Sequence, residues 1–204
     1  LANTNMTTRE KILADVRKNQ PPLVAAPGIA VLENRVQADG STILETFKAV
    51  AGNVGGRVVL VDSIEGVKAH LNIIPGTRVL TTVPELFDVA DDAASFANAT
   101  PHELENVELA ILEAEFGVAE NSALWVTEKQ MGTRVLPFIC QHLAFVVNAS
   151  DIVADMHAAY LRTEGSDHCF ASFIAGPSKT ADIEQSLVLG AHGPRSLVIF
   201  IISK

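Results

Sequence analysis

The densest set of reactive side chains lies in two neighbouring segments, Gly176-Pro177-Ser178-Lys179-Thr180-Ala181-Asp182-Ile183-Glu184 and Gly190-Ala191-His192-Gly193-Pro194-Arg195. Glycine and proline make tight turns that hold the backbone close to something. Beyond the Gly176-Pro177 turn, Ser178 and Thr180 offer hydroxyls and Lys179 a charge to an anion. The spacing predicts a helix from Ser178 to about Leu187, whose first-turn amides would face the same anion. Those hydroxyls serve equally well as plain helix caps. The spacing is not that of a P-loop. Asp182 and Glu184 fall in the first turns of that helix, where the macrodipole favours carboxylates, and Asp182 can also orient a lysine or histidine. In the second segment, His192 between glycines is a candidate acid, base or hydrogen-bond donor, and Arg195 offers a fork for carboxylate or phosphate. The alternative for His192 is a turn residue bonded to backbone.

Three more candidates stand elsewhere. Glu120, in the turn Gly117-Val118-Ala119-Glu120-Asn121-Ser122, suits a general base, a metal ligand, a ligand contact or a loop-amide acceptor. Arg134 and His142 could flank an anion, and His142 could equally be structural at a strand start. HExxH, GxGxxG and GxSxG are all missing, which removes support for zinc-hydrolase, nicotinamide and serine-hydrolase readings. No histidine pair has zinc spacing, and no metal is expected.

The elements that must position these residues follow from periodicity. Thr7 or Thr8 caps a helix to Lys18, ended by Pro21-Pro22, and residues 19–40 read as a wrapping arm. Leu1 to Asn5 are set aside in reading the fold. Residues 41–204 read as one α/β domain. A helix from Ser41 carries Ile43, Leu44, Phe47 and Val50 and ends at Gly52. Strands are expected at Arg57–Val61, Thr77–Thr81, Val107–Leu112, Ala123–Thr127, Leu143–Val147, His168–Ala175 and Ser196–Ile202. Helices follow caps at Asp62 or Ser63 and at Asp151, and the acidic stretch 84–106 holds a short helix or a lid. Alternating helices and strands predict a three-layer α/β fold, with a largely parallel sheet flanked by helices and strand pairs towards the C-terminal half. Ligands of such sheets favour the carboxyl ends of strands, so the crevice is expected there.

Composition narrows the classes. Hydrophobic residues are 48% and aromatics 5% of the 204, so the core must come from Val, Ile, Leu and Ala. A net charge of -9 with no basic stripe argues against nucleic acid as a partner. No apolar run reaches the ~20 residues of a membrane span, and no segment reads as a signal peptide. Two separated cysteines, Cys140 and Cys169, fit a reducing, cytoplasmic setting and cannot ligate an iron–sulfur cluster alone.

The segments Gly117-Val118-Ala119-Glu120, Arg134 with Leu136-Pro137, His142 and the two C-terminal motifs together resemble the LUD-domain family, over about residue 40 to the C-terminus. Family members commonly follow the glutamate with Thr-Gly-Thr, whereas this chain has Asn121-Ser122-Ala123. The resemblance implies a fold similar to the sugar-phosphate isomerase, CoA-transferase and formyltetrahydrofolate cyclo-ligase group. It also implies a part in bacterial oxidation of L-lactate to pyruvate beside iron–sulfur-containing subunits, this chain being the cluster-free one. The expected site joins His192, Glu120 and Asp182 as acid/base groups. Gly176, Pro177, Ser178, Lys179, Thr180, Gly193, Arg195, Arg134 and His142 would bind a small anion. A stand-alone enzyme of the cyclo-ligase or isomerase type and a non-catalytic assembly protein are the rival readings.

Overall fold

In the computed structural model, residues 6–24, 40–181 and 187–203 are described. The chain divides into two compact units, Leu1–Gln37 and Ala38–Lys204. The first contains α1 (Thr8–Lys18), opened by a capping box. In it the Thr7 amide donates to Glu10 Oε2 at 2.7 Å and Thr7 Oγ1 accepts from the Glu10 amide at 3.3 Å. The Thr7 amide, then the Thr7 hydroxyl donating to Glu10 Oε2 at 2.8 Å, hold the Glu10 carboxyl below its usual range.

The second unit opens with α2 (Gly40–Asn53), whose apolar stripe buries Phe47 and Ala51 completely. Then come β1 (Arg57–Val61), α3 (Ile64–His70) capped by Ser63, and β2 (Arg78–Thr81). The acidic stretch 84–106 holds three single 3-10 turns and β3 (Asp91–Asp92). Leu86, Ala93 and Leu104 from this stretch are fully buried, which anchors it to the core and argues against a lid. There follow β4 (Val107–Glu113), β5 (Phe116–Val118), β6 (Leu124–Thr127), α4 (Glu128–Met131), α5 (Leu136–Ile139) and β7 (His142–Asn148). The chain continues through β8 (Ile152–Val153), α6 (Met156–Thr163), β9 (Ala171–Ile174), β10 (Lys179–Ala181), β11 (Leu187–Leu189) and β12 (Ser196–Ile202).

Six strands form a parallel central sheet in the order β1-β12-β7-β4-β2-β3. Alternate residues of its strands feed opposite faces. Leu143, Phe145, Val147, Leu197, Ile199 and Ile201 pack under α2 and α5, beside a second sheet of order β8-β5-β6-β9. Ala144, Val146, Ile111 and Phe200 pack under α3. The result is the layered α/β architecture that the alternation of elements predicts. The core differs in one respect: Phe47, Phe116, Phe145 and Phe200 are among its largest fully buried side chains, so aliphatic residues do not fill it alone.

Two local expectations are corrected. The helix expected after Asp151 starts at Met156 and is capped by Asp155, because Ile152–Val153 pair with β5 first. The helix expected from Ser178 is instead a β-hairpin, with Lys179–Ala181 antiparallel to Leu187–Leu189. Tertiary hydrogen bonds capture the Ser178 backbone and hold it in extended conformation. Among the described helices, none is long and apolar enough to cross a membrane.

Candidate functional site at the amino edge of the sheet

The two glycine- and proline-rich segments meet. The Ser178 amide donates to the Pro194 carbonyl at 2.9 Å, and the Gly190 amide donates to the Ser178 carbonyl at 3.1 Å. The Arg195 amide donates to the Gln141 carbonyl at 2.8 Å, which ties both loops to the start of β7. Gly193 has φ 153, and a Cβ there would lie 3.2 Å from Ser178 Cβ. Gly176 has φ 71, and a Cβ there would lie 2.8 Å from the Val54 carbonyl oxygen. Glycine is required at this second position for both reasons. The turn from α2 into β1 therefore joins the cluster, with Lys179 Nζ 3.3 Å from where a Gly55 Cβ would stand.

This convergence lies at the amino ends of β1, β7 and β12, since Gly56, Gln141 and Arg195 immediately precede those strands. The expected placement at carboxyl ends is thus corrected. The expected amide cradle is corrected too: no helix starts at Ser178, and its amide is engaged by Pro194. What remains for an anion is side chains. Pro177 and Pro194 are buried, Gly176, Ser178, Thr180 and Gly193 are half-buried, and Lys179, His192 and Arg195 are exposed. Among the described residues, none of those last three has a carboxylate partner. Asp182, and with it Glu184, lies outside the described residues.

His142 opens β7 beside Ser196, which opens β12. Ser196 Oγ and His142 Nδ1 are 2.7 Å apart, and His142 Nε2 lies 3.7 Å from Glu108 Oε1. Arg134 does not join it. Its guanidinium bonds Glu128 Oε2 at 2.7 Å and lies over the Phe170 ring. The Cys169 amide, then Arg134, hold the Glu128 carboxyl below the usual range. Glu120 accepts from the Met156 amide at 2.9 Å, satisfying a first-turn donor of α6. No hydrogen bond or ion pair among the described residues links it to His192. The same turn holds Ser122, buried at φ 55 with its Oγ unpartnered. A left-handed backbone of this kind favours glycine, and here it is occupied by a serine.

The opposite edge has different chemistry. A hollow of about 390 Å³ at the carboxyl ends is lined by Ser63, Glu85, Glu113 and Asn148, with no basic side chain. Like-charge repulsion from Glu85 and Glu113 makes that edge a poor host for an anion, whereas Arg57, Lys179 and Arg195 stand at the amino edge, together with Glu108. Arg57, Glu108 and Ser196 escaped the sequence reading. The available signal was Glu108, a charge inside the apolar run of β4. Among the described residues, no group of three His, Cys, Asp or Glu is placed to hold a metal ion.

Comparison with known proteins gives the family context. The LUD domain profile matches residues 90–202. Lactate utilization protein C of Shouchella clausii is 28% identical over 122 residues, 57% of this chain and 51% of its own length. Its namesake in Bacillus pumilus is 32% identical over 117 residues, 52% of this chain and 49% of its own. The chain thus spans about half the length of these curated relatives. The namesake in Exiguobacterium is 26% identical over 177 residues, 77% of this chain and 76% of its own. A DUF162 family protein from Deinococcus radiodurans shares the fold, with a TM-score of 0.59 at 19% identity over 81% of this chain and 99% of that one.

Proposed function

Since the chain belongs to the LUD-domain family, we propose that it serves bacterial lactate utilisation in the cytoplasm, as a cluster-free subunit beside iron–sulfur-containing partners. It binds a small carboxylate, lactate or pyruvate, at the amino-edge loops. Arg195 takes the carboxylate through its planar fork and Lys179 adds a point charge. His192, with Ser178 and Thr180, bonds the neighbouring hydroxyl or oxo oxygen. The observation that carries this reading is the Ser178–Pro194 hydrogen bond, which brings both motifs to one rim. The names of the relatives support the process.

Calorimetry with lactate, pyruvate and phosphate tests it. The reading expects carboxylate binding that weakens at least tenfold in a Lys179→Gln/Arg195→Gln chain and weakens with salt. Deleting the gene should impair growth on lactate, and the double variant should fail to restore it. Equal binding by variant and parent would overturn the assignment of these loops.

A further inference from the structure

A second site stands on the sheet face under α3, and its construction rests on a β-bulge. In the pairing of β2 with β4, Arg78 matches Val107 but Val79 matches Leu109, so Glu108 is an extra residue on β4. Strict alternation would put Glu108 on the core face with Ala110 and Leu112. Instead Val107 joins those two in the core. Glu108 comes out beside His142. Bulges re-aim side chains in this way next to functional sites.

The redirected carboxylate stands at the mouth of a groove of about 290 Å³, on the lower side for small-molecule pockets. Its floor is apolar, made by the half-buried Leu109 and Val198 over the buried Ala144 and Phe200. Its polar lining includes Arg57, His70, His142 and Ser196. His70 Nδ1 bonds the Gly66 carbonyl at 2.8 Å, so that nitrogen carries the hydrogen. His142 Nε2 stands 3.7 Å from Glu108 Oε1, and in the tautomer with the hydrogen on Nδ1 the ring donates to Ser196 Oγ at 2.7 Å. The Ser196 hydroxyl hydrogen is then directed to a ligand. Arg57 supplies a permanent positive charge beside the Glu108 carboxylate. An apolar floor with the Arg57 guanidinium at its edge suits an anionic head on an apolar body.

We propose that this groove binds a medium-chain organic monocarboxylate, with Arg57 and the Ser196 hydroxyl holding the carboxylate and the chain lying on the sheet. His142 is a positioning residue that acts through Ser196. The proposal uses side chains other than those of the loop reading and is independent of it.

The test is calorimetry of the full chain with butyrate, hexanoate and octanoate, plus octanol and octylamine as controls. Affinity is expected to rise about fourfold per added methylene, the equivalent of ~0.8 kcal/mol for each buried CH₂. Octylamine should bind at least tenfold more weakly than octanoate. Arg57→Gln should weaken octanoate at least tenfold and leave octanol unchanged, and Ser196→Ala should weaken octanoate several-fold, with melting temperatures confirming that both variants fold. The Lys179→Gln/Arg195→Gln chain should keep its octanoate affinity, and lactate should not compete. Octylamine matching octanoate, no dependence on chain length, or full affinity in Arg57→Gln would each overturn the proposal. Loss of octanoate affinity in the loop variant would move the ligand to the loops and overturn it equally.

Discussion

Ser122 combines two costs in one side chain. Its backbone sits at φ 55, a region that disfavours residues with a Cβ, and its hydroxyl is buried without a partner. Ser122→Gly removes both and adds only unfolded-state entropy. The variant should gain about 1 kcal/mol and melt ~2–4 °C higher in differential scanning calorimetry. A lower melting point would mean that the hydroxyl has a partner in solution. At the same scale, Glu120 shows how a residue type common in catalysis can serve structure, since its carboxylate completes the first turn of α6.

At the scale of elements, the loop rim depends on Gly176. Its left-handed φ and its closeness to the Val54 carbonyl fix how the chain passes from β9 into the hairpin. Gly176→Ala must move backbone rather than a side chain. It should destabilise the fold by about 2–4 kcal/mol, read from urea unfolding, and should weaken any ligand of Lys179 and Arg195. A loss under ~0.5 kcal/mol would show that the turn relaxes freely. The hairpin also shows the limit of local signals. Ser178 followed by Thr180 and Asp182 reads as a helix start. The outcome is strand because the Ser178 amide and carbonyl are both claimed by the second loop, 12 to 16 residues away.

Over the second unit as a whole, the two edges of the sheet differ in charge: Glu85 and Glu113 line the hollow at the carboxyl edge, whereas Arg57 and Glu108 together line the groove at the amino edge. The thiols report on the integrity of that unit. Burial pushes the Cys140 thiol up to about 12, whereas Cys169 is exposed. At pH 8 the native protein should take one iodoacetamide label, at Cys169, and two after denaturation, as counted by mass spectrometry. Native labelling of Cys140 would show that the core opens between α5 and β7.

The layered α/β class, most of the central strands and the glycine–proline turns of both loops were legible from residue order alone. Apolar periodicity and turn chemistry are local properties, and they survive folding. His142, a histidine at the head of a buried strand, was legible in the same way. Which edge of the sheet the loops occupy was not, because strand direction depends on pairings between residues far apart in the chain. The hairpin after Gly176 likewise follows from bonds to Pro194 and from Gly190. The place of Glu108 emerged only with the folded chain, because a one-residue bulge turns a side chain from one face of a sheet to the other, and nothing local to β4 records where its partner strand slips.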